Sequence, residues 1–401
     1  MKKLILIPLL FASLEATNID IIIDYAIKKN HSISAIKYIL KKKELKVKRS
    51  RNLDNPFIKF GINDIRLDDI TNRSLEPMQT NYIVFKQKIP YFGKLKLKEE
   101  IAKKDLKLNF FRLKDAQARL AFEIKKEAIR YAKLQELLKL NRDYQKVIGR
   151  LNSILLDYSK LDTKYHTLYM QSNLFLSQLK SKEITLKSLQ KEALNTISYL
   201  SNRNIKKLNF KLKDIKPISF KRVKSKIYKN YKIRVLNTKY SLLGSKVEEA
   251  KLSKKIDPTV EVGYFHRKAY KSYISIGVGF KLPIYGTEDI KIEESKVDRL
   301  SMLERLKDYK KKLENKLFIL VQDLKANKEI IALIKKDTSF TIKDLLNVDR
   351  AKIVTGGDIL SYFDTLKRYF VLKELLIEKR SENMIIKAQI DNILGVIKWD
   401  Y

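Results

Sequence analysis

The chain has 401 residues, 44% hydrophobic and 33% charged, with a formal net charge of +39 and no cysteine. Disulfides, thiolate metal sites, a cysteine nucleophile and a lipidated N-terminal cysteine are therefore excluded. Glycine is scarce at 11, and five of those lie between Gly244 and Gly286, so most of the chain has the Lys-, Leu- and Ile-rich composition of long helices. The positive balance makes nucleic acid or anionic lipid a candidate partner. The basic residues, however, are spread among acidic ones along helices, with no stripe interleaved with aromatics, so no nucleic-acid role is expected. His31, His166 and His266 are far apart and show no metal-ligand spacing. With no GxxxxGK[ST] and no nucleophile or metal constellation, neither an enzyme nor a bound cofactor or metal is expected.

Residues 1–16 read as a secretory signal: Lys2 and Lys3, an apolar run from Leu4 to Ala12, and a cut after Ala16. The alternative is a buried N-terminal strand. No other apolar run reaches the roughly 18 residues of a membrane-spanning helix, so an exported chain of this kind enters a membrane only as strands.

Residues 17–205 form a first repeat. Its leading helix, Ile19 to Lys48, is broken at Asn55-Pro56, since proline and the residue before it disfavour helix. A hairpin of about 57–89 follows, with Phe57, Lys59 and Gly61 on one face and Ile58, Phe60 and Ile62 on the other. It ends in Ile89-Pro90-Tyr91-Phe92-Gly93. Long helices over 93–200 come next. Leu106, Leu113, Leu120, Leu134, Ile148 and Leu155 share one seven-residue register, and Phe110, Ile124, Tyr131 and Leu138 the companion one, the pattern of a coiled coil. A break is expected at Asp157 to Lys164. A basic linker, 206–233, with Pro217, closes the repeat.

A second repeat, 234–398, has the same parts in the same order, followed by a short end, 399–401. Its leading helix, Arg234 to Lys255, breaks at Asp257-Pro258. A hairpin of about 258–283 alternates strictly. Val260, Val262 and Tyr264 oppose Glu261, Gly263 and Phe265; Ile274, Ile276, Val278, Phe280 and Leu282 oppose Tyr273, Ser275, Gly277, Gly279 and Lys281. Each arm reads as roughly 10 residues, enough to cross a bilayer when tilted, although a hairpin packed on a soluble core would alternate in the same way. It ends in Leu282-Pro283-Ile284-Tyr285-Gly286, and long helices over 286–398 are interrupted at Asp337-Thr338-Ser339 and at Gly356-Gly357. The fold class expected is mainly α with a small β part: tandem-duplicated long coiled-coil helices plus two hairpins.

The stretches DPTVEVGYFHRK and ISIGVGFKLPIYG, the paired IPYFG and LPIYG, and the turn Gly356-Gly357-Asp358-Ile359-Leu360 with Asp364 beyond it resemble the TolC-type outer-membrane factors. The resemblance implies a homotrimer whose protomers give four strands each to one 12-stranded outer-membrane barrel and their helices to a periplasmic tunnel. It implies docking to a periplasmic adaptor and an inner-membrane pump, contact with outer-membrane lipid, and a passive role as exit duct in efflux or type I secretion. Pro90, Gly93, Pro283 and Gly286 would mark the barrel–helix junction. Asp162, Gly356, Gly357, Asp364, Lys367 and Arg368 would lie at the periplasmic entrance. Two features depart from the family pattern: the first turn, Tyr158 to Asp162, lacks glycine, and Ser361 stands where a second acid is common. The competing reading is an exported periplasmic coiled-coil adaptor or structural protein, which leaves both hairpins without a purpose.

Overall fold

A computed structural model describes residues 18–160, 163–338, 344–348 and 359–398; the expected signal segment lies outside them. The elements in chain order are α1 (Ile19–Lys29), α2 (His31–Arg49), β1 (Phe57–Ile62), β2 (Asn81–Lys88), α3 (Lys94–Tyr158), α4 (Thr163–Ser201), α5 (Phe220–Lys224), α6 (Tyr231–Ser253), β3 (Thr259–His266), β4 (Tyr273–Gly279), α7 (Thr287–Leu333) and α8 (Ile359–Ile393). A single π turn, Ile334–Thr338, closes α7 where the sequence pattern breaks. At 65 residues α3 is about 97 Å long. The chain forms two compact units, each drawing on both halves of the sequence.

The helical unit takes in residues up to Ala35, Lys114–Tyr231 and the chain from Lys311 onward. Its heptad positions are its core: Ile124, Tyr131, Leu134, Leu138, Ile148 and Leu155 are all buried. Around the lower part of α3, Tyr144, Ile148, Leu151 and Leu155 pack against Leu168 and Leu179 of α4 and Ile359, Phe363, Leu366 and Phe370 of α8. The Tyr144 hydroxyl donates to the carbonyl of Leu366, and burial pushes its pKa up. Helix α1 lays Ile22, Ile23 and Ala26 against α4, where Ala193 and Ile197 are also fully buried.

Three local expectations differ from what is observed. The leading helix is two helices, because Asn30 takes an extended conformation between them. Its side chain accepts from the N–H of Ile33 at 3.2 Å, capping α2, and donates to the carbonyl of Leu200 at 2.9 Å. The last helix stops at Ile393 rather than Lys398. There Gly395 adopts φ 73°, and Val396 N–H returns to the carbonyl of Asp391 at 2.8 Å. The linker is a packed strap, with Ile205, Leu208, Phe210, Leu212 and Ile215 buried. Arg380 on α8 holds it by donating to Asp214 at 3.0 Å, to the carbonyl of Leu212 at 3.2 Å and to Glu136 of α3 at 3.2 Å. Lysines between the buried positions made this strap look solvated in sequence.

The second unit comprises Ile36–Leu113 and Lys232–Lys310. All four strands join one antiparallel sheet in the order β1-β2-β3-β4, so the two hairpins meet through β2 and β3. The paired strands hold six to eight residues, fewer than the roughly 10 expected. Phe280 to Leu282, expected as part of the second arm, lie beyond the last pair, Thr259 with Gly279, and are not in the sheet. Below the sheet, α2 is tied to α3 by Lys43 to Asp105 at 2.8 Å, and the turn after α2 by Arg51 to Glu99 at 2.7 Å. Hydrogen bonds from Arg51 and Lys103 hold the Glu99 carboxyl down at about 2.

Candidate functional site

The sheet register separates two chemically opposite faces. Ile58 stands opposite Phe85, Phe85 opposite Val262, and Val262 opposite Ile276. With Phe60, Ile83, Tyr264, Ile274 and Val278 they make an apolar face across all four strands. That face is uncovered: Phe60 is 74% exposed, Ile276 73% and Ile274 67%. A contiguous apolar surface of this breadth is a contact surface for lipid or for another apolar body.

The opposite face carries Lys59, Lys86, Lys88 and Glu261, every carboxylate and ammonium group of the four strands. Lys86 and Glu261 stand across from each other and pair at 2.7 Å. Nearer the outer loops the same face holds three rings, Tyr82, Phe265 and Tyr273. Phe265 stacks parallel to Tyr273 with centroids 4.9 Å apart and lies 5.5 Å from Tyr82. It leans across its own strand at Gly263, where a Cβ would come within 2.7 Å of the ring. Lys59 sits over Tyr82 at 5.3 Å and Arg267 over Tyr273 at 4.9 Å, favourable cation–ring placements. The rings were legible singly as strand residues, but their clustering depends on cross-strand register.

Pro90, Gly93, Pro283 and Gly286 lie between the strands and the long helices. Gly93 and Gly286 immediately precede α3 and α7 with φ of 91° and 73°, a region that side-chain-bearing residues rarely adopt. Each starts its helix in the same way: Leu97 N–H bonds to the Gly93 carbonyl at 2.9 Å and Ile290 N–H to the Gly286 carbonyl at 3.3 Å. Pro90 and Pro283 end the strand arms three residues earlier, where a missing N–H costs no ladder bond.

Asp257 was read in sequence only as a helix breaker, and it is the centre of the junction. One carboxylate oxygen accepts from the N–H of Tyr91 at 2.8 Å and from the Lys94 ammonium at 2.6 Å; the other lies 3.3 Å from Lys88. Ile89 N–H donates to the carbonyl of Pro258 at 2.8 Å. Partial burial of Asp257 opposes its charge, but these donors outweigh that effect and its pKa is lowered.

Of the expected entrance residues, Asp162, Gly356 and Gly357 lie outside the described residues. Asp364, on the second turn of α8, is more than half exposed and stands 3.9 Å from Lys367. The Lys367 ammonium also lies 4.0 Å above the ring of Phe363 and 5.4 Å from that of Phe175. Arg368 is exposed one residue on.

Solved structures share this architecture over nearly its whole length. The outer membrane protein VceC of Vibrio cholerae superposes with a TM-score of 0.79 at 11% identity, covering 94% of this chain and 96% of its own. The outer membrane channel MtrE of Neisseria gonorrhoeae, in its open state, gives 0.79 at 12% identity over 95% and 90%. The CmeC outer membrane channel of Campylobacter jejuni gives 0.75 at 12% over 96% and 86%. No family model and no curated protein matches the sequence. The chain has the fold of these outer-membrane channels.

The junction yields a pH prediction. Because the pKa of Asp257 is depressed by folding, its contribution is complete above the ordinary aspartate range and is lost as pH falls through the lowered value. Asp257→Asn should cost about 1 kcal/mol at neutral pH. That difference should shrink as pH falls below the ordinary aspartate range and vanish once pH has passed the lowered value, where wild type is protonated too. Thermal unfolding of both proteins across that range measures it; a constant difference down to the lowest pH would refute the ion-paired role.

Proposed function

We propose that this chain is the outer-membrane exit duct of a tripartite efflux or type I secretion system. It acts as a homotrimer, docks to a periplasmic adaptor and an inner-membrane pump, and supplies no energy itself. The observation that carries this reading is the sheet. It has an exposed apolar face, a charged face behind it and open edges at β1 and β4, on a fold shared with outer-membrane channels. Open edges in lipid leave backbone groups unpaired at several kcal/mol each. Three copies joined β4 to β1 would leave none, with the apolar face against lipid and the lysine face inside. A periplasmic adaptor or structural protein leaves the uncovered apolar face without a partner.

The full chain should therefore fractionate with the outer membrane and purify in detergent as a trimer. A stable water-soluble monomer would overturn the assignment. Within the sheet, Ile276→Arg, at the middle of β4, should cost roughly 2–4 kcal/mol, whereas Ser275→Arg on the inner face should cost little. Trimer yield and unfolding in detergent report both, and equal tolerance would show the faces to be reversed or the barrel absent.

The entrance residues take the following roles in this reading. The turns at Asp162 and at Gly356-Gly357 form the periplasmic tip, and Asp364 contributes one acid per protomer near it. Three carboxylates around an axis repel one another as the tip closes, and Lys367, already beside Asp364, offsets that repulsion. Arg368, one residue on, adds a second cation at the same level. Asp364→Asn should weaken block by divalent cations added on the periplasmic side, read in single-channel recordings. Undiminished block would remove Asp364 from the gate.

A further inference from the structure

The net charge of this chain is spread widely along its helices, but on the strands it is sorted. The apolar face has no lysine, arginine, aspartate or glutamate, and the other face carries Lys59, Lys86 and Lys88 against Glu261 alone. Lys281 extends this group two residues beyond β4, sharing with Lys86, Lys88 and Glu261 an open cleft of about 650 Å³ at the helix-proximal end of the sheet. The single strand acid is spent on Lys86. Asp257 at the rim of the cleft is divided between Lys88 and Lys94. Among the described residues, Lys59 and Lys281 form no ion pair; Lys59 rests on a neutral ring instead.

We propose that this face is an anion-selecting sleeve, and that the cargo class of the duct is negatively charged. The proposal rests on the duct reading above, because only closure of the sheet turns one lysine-bearing face into a ring. Three copies would bring twelve lysines and three glutamates around one lumen. Lysine rings select anions in pores, and low-dielectric walls focus their field along the axis. At physiological ionic strength a charge is felt over about 8 Å, so ammonium groups on long flexible stems act well into the lumen. A lumen potential of only about 1 kT enriches anions over cations roughly sevenfold, and summed surface charge commonly supplies that much. The position of the lysines also fits a path. Lys86, Lys88 and Lys281 meet cargo as it leaves the helices, and Lys59 meets it near the aromatic cluster on the way out.

The test uses the full-length protein reconstituted in planar bilayers under a KCl gradient at about 0.1 M, where screening is moderate. Wild type should favour chloride over potassium by about 3- to 10-fold. Inorganic tripolyphosphate added on the extracellular side, which reaches the sleeve without passing the periplasmic entrance, should block the current. The double variant Lys59→Gln/Lys281→Gln removes the two ammonium groups that hold no ion pair. It should bring the permeability ratio to within about twofold of unity and weaken tripolyphosphate block about tenfold, as loss of lumen charge predicts. Ser275→Arg should move both readings the other way. A trimeric channel that prefers potassium, or whose selectivity and extracellular block are unmoved by the double variant, overturns the sleeve and leaves the duct standing. Failure to form any channel removes both.

Discussion

The pairing register of the four strands is the constraint on which the rest depends. Strand side chains alternate, so a one-residue slip in any pair would move lysines among the isoleucines and isoleucines among the lysines. Register here is fixed from both ends. Above, Phe265 stacks on Tyr273 and leans toward Tyr82 across β2, β3 and β4. Below, Asp257 fastens the start of β3 to the end of β2 through Tyr91, Lys94 and Lys88. Between them Lys86 and Glu261 are an opposite-charge pair that only the observed register brings together.

The helices obey a looser rule and tolerate more variety. A 65-residue helix needs its stripe buried nearly everywhere, and α3 achieves that from Leu113 to Leu155. Phe110 is an exception, 43% exposed and packed edge-on against Phe111. The long helices start from glycines because strand and helix meet there at a sharp change of direction. A positive φ at Gly93 and at Gly286 makes the turn and leaves the carbonyl free to begin the helical ladder. Two pentapeptides that share only their proline and glycine, IPYFG and LPIYG, therefore produce one geometry.

What could be read from the sequence divides along the range of the interactions involved. Period-two alternation, heptads, proline breaks and glycine starts are local, and the strands and long helices fell close to where those signals put them. Three features escaped for different physical reasons. Asn30 looked like an ordinary helix residue, yet its amide is engaged by Leu200, a partner 170 positions away. The strap around Leu208 to Ile215 interleaves lysines with its buried residues, so its composition read as linker although its alternate side chains are buried. Asp257 had a visible proline beside it, but its role needed Lys94, 163 residues earlier. In the candidate site, the sorting of charge onto one sheet face was legible strand by strand. The cluster of Tyr82, Phe265 and Tyr273 was not, because it requires knowing that β2 and β3 are neighbours.

The carboxylate of Asp257 has a counterpart in position but not in charge. The residue before the proline that precedes β1 is Asn55, an amide. The seam between the two hairpins of one chain is thus fastened by an ion pair, with only an amide at the matching place before β1. Of the edge strands, β1 carries one charge, Lys59, which rests on the ring of Tyr82, and β4 carries none. Electrostatic attraction acts at longer range than hydrogen bonding. In the trimer proposed above, the seam within each chain is thus the one that an ion pair fastens, and the seams between copies rest on backbone pairing.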